Sequence, residues 1–286
     1  GHRSVLTTDL VNAVGMISIL LDEAHLKMSI KTVVVASSAE VARNIRNQLW
    51  SEHSLRVEIS GSGKDLGTDA YAGSFKRTPV MKTRFQKTKR RVSRIAALKR
   101  MARKADARSK THGKRTPCPS MLWKRGAKAA ALYGAALVGL SPASCEKARR
   151  LAVTAAAPDA AHACPTSTIN LILGPYADPA VEVPCEIIWN WLQILFSPRL
   201  HVARVSRAWD KACVALRGAG RWIKARGPMS AVVCVLMDMQ WRPCAYNEWV
   251  DHEGFRWVCC LEPGQVLNTH TAAPLLNSVR ARRVEI

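Results

Sequence analysis

The stretch KRTPVMKTRFQKTKRRVSRIAALKRMARKADARSKTHGKRTPCPSMLWKRGAK, Lys76–Lys128, holds 20 lysines and arginines against one acid, Asp106. It carries 19 of the net 22 positive charges of the 286-residue chain. Its central part is periodic. Phe85, Val92, Ile95, Leu98, Met101 (or Ala102) and Ala105 fall at steps of three, four and seven, which predicts a helix with an apolar stripe along one side. Arg84, Lys87, Arg90, Arg91, Arg94, Lys99, Arg100, Arg103 and Lys104 fill the rest of the circumference. Such a helix has something to pack against and a cationic face left over. These cations are the candidate phosphate-binding residues, because each phosphate neutralised releases counterions. The plain alternative is a solvated or disordered basic segment, and the apolar stripe argues against disorder. Nothing in the stretch reads bases, so RNA and DNA both stay open.

The composition supports the same class of partner. A chain of this length suits one large or two ordinary domains, and 48% apolar residues can fill a core. A pI near 10.2 favours a polyanion over an acidic metabolite. The nine cysteines, at positions 118, 145, 164, 185, 213, 234, 244, 259 and 260, contain no C-x-x-C pair and no zinc-knuckle spacing. They read as free thiols in a reducing compartment, which makes the expected location intracellular, nuclear or cytoplasmic. No secretory signal pattern is visible at Gly1–Leu10. The apolar runs Val11–Leu21 and Ile187–Phe196 are too short to span a bilayer, so no membrane partner is expected. The chain opens on Gly1 and reads as a processed product or a fragment.

Upstream of the basic stretch, Thr8-Asp9 caps a predicted helix that ends between Leu20 and His25, with Leu10, Val11, Val14, Ile17, Leu20 and Leu21 as its apolar side. Thr32–Ala36 predicts a buried strand. Ser37-Ser38 then caps a helix over Ala39–Trp50 with Val41, Ile45, Leu49 and Trp50 as apolar positions, and Leu55–Ile59 alternates as a strand ended by Gly61-Ser-Gly63. The result is a small α+β unit. Asp22-Glu23-Ala24-His25 spells the acidic box of a helicase family, in which the acids hold nucleotide-bound magnesium. No phosphate loop precedes it. The nearest candidate, Gly61-Ser-Gly-Lys64, lies downstream, with Asp65 in place of the hydroxyl and Glu58 in place of the first glycine. Asp22, Glu23 and His25 are therefore expected at the surface of a helix end.

A second set of motifs keeps its order. Leu26-x-Met28-x-x-Lys31-Thr32 and the strand after it, then Lys64-Asp-Leu66-Gly67, then Ala131-Leu-Tyr133-Gly134, resemble the end of the palm and the thumb of reverse transcriptases of non-LTR retroelements. The phrases KDLGTD, KRTPVMKTRFQKTKRR and RGPMSAVV are similar to the dinoflagellate type of that family, loosely as far as Trp257. The family's catalysis needs a paired-aspartate turn and a third aspartate to hold two magnesium ions about 4 Å apart. No Asp-Asp pair exists in these 286 residues, so by resemblance the chain starts after the catalytic turn.

The resemblance implies an α+β fold: a palm-end remnant over residues 1–72, a basic thumb-like helical segment over 73–140, a mostly helical domain with an aromatic hairpin over 141–260, and a flexible basic tail over 261–286. It implies a non-catalytic fragment of an RNA-directed DNA polymerase that holds the RNA or RNA–DNA hybrid backbone of a template–primer. No cofactor is expected in this fragment, since Mg2+ belongs to a complete polymerase, and the missing palm and fingers part is an expected partner. Lys64 falls in a primer-contacting hairpin, or in a plain strand start with Gly67 easing a turn. Lys31 falls near a nucleotide phosphate, or at a strand edge with no part in activity; without the aspartates the second reading is preferred. The alternative function is an independent basic nucleic-acid-binding or structural protein without polymerase activity.

Beyond the basic stretch, the breaker-rich connector Lys110–Pro119 leads to a helix capped by Ser120 and running to Leu137, with Lys124, Arg125 and Lys128 on its first turns. Pro142 opens a helix over Ala143–Ala157 with Arg149 and Arg150 outward. His162 and Cys164 alone do not make a metal site. Pro184 is expected to begin a strongly apolar helix through Ile187, Ile188, Trp191, Leu192, Leu195 and Phe196, and Val202–Leu216 to form another. Arg217, Arg221, Lys224 and Arg226 surround Trp222, which either stacks bases or packs in a helical bundle. A last helix is predicted over Met229–Met239. The aromatic residues Trp241, Tyr246, Trp249, Phe255 and Trp257 then flank Asp251-His252-Glu253-Gly254, a hairpin turn. After Cys260 the periodicity fades into a tail, basic through Arg280, Arg282 and Arg283, that reads as loose.

Overall fold

The structure, a computed structural model, describes residues 2–26, 28–29, 32–36, 38–65, 68–71, 78–108, 119–159, 163–197, 200–260 and 267–286. It is α+β, and its chain divides into two compact units, Gly1–Val80 and Met81–Ile286.

The first unit runs α1 (His2–Glu23), β1 (Val33–Val35), α2 (Ala39–His53), β2 (Glu58–Ser60), β3 (Ser62–Asp65) and β4 (Thr68–Tyr71). β1 and β2 pair in parallel from Val33–Glu58 to Val35–Ser60, and α2 is the crossover that a parallel pair requires. The small core is Val11, Ile45, Leu49 and Val57, with Val14, Val34, Val41 and Leu55 against it. α1 begins six residues earlier than its expected cap at Thr8 and lies on α2 through Val11 and Gly15. The approach is close at Gly15, where a Cβ would stand 2.2 Å from Cε1 of His53. β2 ends at Ser60 with a bend at Gly61, as expected, but Ser62 and Gly63 already belong to β3, which pairs antiparallel with β4. Asp22, Glu23 and His25 are exposed at the end of α1, as expected of a helix end. Trp50, expected on the apolar side of α2, is 59% exposed, because Ala42, Ile45 and Leu49 already fill the buried side.

The second unit opens with α3 (Pro79–Arg108), and the elements that follow are helical as far as residue 238. They are α4 (Pro119–Leu122), a π turn at Trp123–Ala127, α5 (Lys128–Leu132), α6 (Ala135–Val138), α7 (Pro142–Ala156), α8 (Pro165–Ile172), a 3-10 turn at Pro175–Ala177, α9 (Pro179–Leu195), α10 (Val202–Ala215), α11 (Arg221–Lys224) and α12 (Pro228–Asp238). Three antiparallel strands, β5 (Arg242–Ala245), β6 (Glu248–Val250) and β7 (Arg256–Val258), precede the terminal helix α13 (Ala273–Glu285).

Two apolar cores hold this unit. One joins Val92 and Ile95 of α3 to Trp123, Ala127, the inner face of α7 and Ile169. The larger gathers α9, the fully buried stretch Ala231–Leu236 of α12, and the sheet, and Met81 and Phe85 of α3 pack against it. Trp191 and Trp209 stack there with centroids 5.6 Å apart. Residues of the segments expected as separate domains over 73–140 and 141–260 occur together in both cores.

The expected bounds of α9 and the expected character of the C-terminal segment are both corrected. The apolar helix does not begin at Pro184. It begins at Pro179 with the Asp178 carboxylate accepting from the N–H of Ala180 at 2.9 Å, and Pro184 sits inside it. The segment after residue 272 is not a loose tail. Leu275, Leu276 and Val279 of α13 are buried in the larger core, a stripe too short to register as periodicity. The aromatic hairpin forms as expected, with Gly254 at φ 90° in its turn.

Candidate nucleic-acid interface

α3 is positioned by a buried seam at steps of four and three: Met81, Phe85, Thr88, Val92 and Ile95, with Ala96 beside it. The seam differs from the expected stripe at its far end. Leu98 and Met101 are exposed, 55% and 67%, because the drift of a straight helix turns them off the line that Val92 and Ile95 define.

The candidate cations separate into three sets. Arg84, Lys99 and Arg100 are engaged within the unit. Arg84 donates through Nη1 to the Tyr133 carbonyl at 2.8 Å and lies 4.7 Å over that tyrosine ring. Lys99 donates through Nζ to the carbonyl of Ala156, the last residue of α7, at 2.5 Å, where a cation meets the negative end of the helix. Arg100 stands 3.7 Å from the Asp159 carboxylate. Lys87, Arg90, Arg91 and Arg94 form the second set. They are exposed over two turns of α3, together with Lys82 and Lys89, and none has an ion pair among the described residues. Arg103 and Lys104 continue the same helix toward its end. Lys64 lies apart on β3, in register with Asp69 and in the first unit. Lys31 lies outside the described residues, as do Leu66 and Gly67.

Other sequence candidates are internal parts of the fold. Trp222 is half-buried and donates through Nε1 to the Asp238 carboxylate at 2.8 Å, with Arg221 3.5 Å from the same group. Lys224 caps α10 by donating to the Ala215 carbonyl at 3.2 Å. Burial pushes the Asp238 carboxyl up from its ordinary value, only partly offset by the Trp222 donor and the charges of Arg221 and Arg283. Arg149, expected outward, turns in to Asp178 and Glu146 at 3.0 and 3.1 Å. Lys128 pairs with Glu182 at 2.6 Å. Asp251 accepts from the N–H groups of Glu253 and Phe255 and from Trp257 Nε1, at 3.0, 2.9 and 3.0 Å, so it holds the hairpin turn together.

Sequence reasoning missed the π turn. Its N–H of Lys128 bonds back five residues to the Trp123 carbonyl, so Trp123 and Ala127 both face the core while Lys124, Arg125 and Gly126 are exposed between them. No periodicity rule of 3.6 residues finds an inserted residue. Among the described residues no three His, Cys, Asp or Glu gather as metal ligands, and no helix is long and apolar enough to cross a membrane. Burial pushes the thiols of Cys145 and Cys185 up to about 11, which keeps both protonated at neutral pH.

With this geometry in hand, comparison with family models, with curated proteins and with solved structures finds no match to the chain.

Proposed function

We propose that the protein holds a nucleic-acid backbone along the outward face of α3, with Lys87, Arg90, Arg91 and Arg94 on successive phosphates. The observation that carries this reading is that these four cations lie on a helix whose opposite side is locked into two cores, and that none is neutralised by a described acid. A fixed row of cations with no internal partner keeps its full charge for phosphates, and it presents no base-reading pattern. The resemblance to retroelement reverse transcriptases narrows the ligand to the RNA or RNA–DNA hybrid of a template–primer and makes the chain a non-catalytic part of such a polymerase.

One observation supports the view that a missing palm and fingers part is a partner. α1 leaves Leu10, Met16, Ile17, Ile19 and Leu20 exposed, a run of apolar surface that a larger assembly would cover. The experiment is binding of a labelled RNA–DNA primer–template, beside duplex DNA and single strands, across a salt series. The wild-type chain is compared with the variant Lys87→Gln, Arg90→Gln, Arg91→Gln, Arg94→Gln. A hybrid preference and a steep salt slope, both lost in the variant, support the reading. Equal, weak binding to every polyanion by both proteins sinks it and leaves a basic structural protein.

A further inference from the structure

The first unit carries a groove of about 730 Å³ beside α2 and β2, lined by Arg46, Asn47, Trp50, Leu55, Arg56 and Glu58 among others. The step of four from Arg46 to Trp50 places both on one side of α2, away from buried Ile45 and Leu49. Arg56 and Glu58 are exposed on either side of buried Val57. Trp50 is left with most of its indole in water, although burying an indole is one of the most favourable single contributions a core can receive. Neither Arg46 nor Arg56 has an ion pair or a ring contact among the described residues. The groove therefore combines an open aromatic face, two uncommitted guanidinium groups and a side-chain amide.

We propose that this groove binds an unpaired nucleobase of a single-stranded nucleic acid, stacked on the Trp50 indole, with the flanking phosphodiesters on Arg46 and Arg56. Stacking on an indole suits any base, because every base has a π face. The Asn47 amide offers a donor and an acceptor to a base edge, and two arginines against one acid, Glu58, leave the lining net cationic. A lipid surface would need an apolar rim where Arg46, Asn47, Arg56 and Glu58 stand, and an acidic peptide would leave the indole unused. The site belongs to the first unit and the cationic face of α3 to the second, so the two stand or fall separately.

The test uses the full chain and fluorescence anisotropy with two labelled strands of equal length and charge, a thymidine 12-mer and a fully abasic deoxyribose-phosphate 12-mer. Wild type is expected to bind the base-bearing strand about fivefold to 150-fold more tightly, the range that a stacked base contributes. Trp50→Ala is expected to bring that ratio close to one while leaving the abasic affinity unchanged, and Trp50→Phe to keep part of it. The same loss is expected on a uridine 12-mer, since stacking does not sense the sugar. The fourfold glutamine variant of α3 leaves the groove intact and is expected to keep the preference for the base-bearing strand at or above its wild-type value, which separates this site from the backbone track. A wild-type ratio near one, or a ratio that survives Trp50→Ala, overturns the proposal.

Discussion

Arg283 donates through Nε to the carbonyl of Ala180 at 2.9 Å. That carbonyl is the one which Pro184, four residues further along α9, leaves without its helical N–H. The interior proline and the terminal helix α13 are thereby coupled. Arg283→Met is expected to destabilise the protein by about 1.5–3 kcal/mol, the usual contribution of a hydrogen bond from a charged group. In a Pro184→Ala background the backbone N–H returns, and the cost of Arg283→Met should shrink. Urea midpoints for the two single variants and the double variant measure this; simple additivity would show that the two residues act independently.

The exposed and the engaged cations of α3 should respond differently to neutralisation. Replacing Lys87, Arg90, Arg91 and Arg94 with glutamine is expected to flatten the dependence of log K on log salt by about 3 to 4 for duplex DNA, with little change in thermal stability. Arg84→Gln and Lys99→Gln should do the reverse, because each loses a specific acceptor within the fold. Salt-series titrations and thermal melts on the same preparations distinguish the outcomes. An equal slope change from Arg84→Gln would mean that its contact with Tyr133 yields to phosphate.

Two carboxylates should shape the pH dependence of stability in opposite senses. Burial raises the Asp251 carboxyl, but the Trp257 indole and the N–H groups of Phe255 and Glu253 more than offset this, and the net shift is downward. A lowered folded value means that Asp251 contributes stability above the ordinary carboxylate range near pH 4 and loses it as pH falls through the folded value. Asp238 is shifted upward, mainly by burial. It therefore costs stability as pH rises from the ordinary carboxylate range through its raised value. Urea midpoints between pH 2 and 7 should show Asp251→Asn flattening the acid limb, and Asp238→Asn gaining on wild type as pH rises, since asparagine still accepts from Trp222. A pH-independent offset for both variants would refute the assignment.

Gly15→Ala should report on the contact between α1 and α2. The added Cβ meets the His53 ring, so the variant is expected to lose about 1–3 kcal/mol, the usual cost of overpacking. Adding His53→Ala should recover part of the loss. Circular dichroism melts of the single and double variants check this, and an unaffected Gly15→Ala midpoint would show that the ring turns aside at no cost.

What was legible in the sequence was local. The βαβ order of the first unit followed from the β-branched run before α2 and the alternation after it, and α3 from its apolar spacing. The turn at Gly254 and the helix opened by Pro142 followed from turn and cap chemistry. These features arise from neighbours within a turn or a strand pair, where period and backbone preference act. The start of α9 was not legible, because the carbonyl that the interior proline orphans is taken up by a residue distant in sequence. That residue is Arg283, 103 positions away. Nor was the seam of α3, which buries the polar Thr88 and leaves Leu98 and Met101 outside.

The count of basic residues on α3, against the single acid Asp106, was determined by the sequence itself. Which cations remain uncommitted was decided by the tertiary structure, because Arg84 and Lys99 meet carbonyls 49 and 57 positions further along the chain. The same holds for the two tryptophans set among arginines. Trp222 is drawn inward by a carboxylate, 16 positions away, that needs its N–H, while Trp50 stays in water because Ala42, Ile45 and Leu49 had already closed the core beneath it. Charge and periodicity are written residue by residue, but a side chain's partner depends on which distant segment the fold brings alongside it.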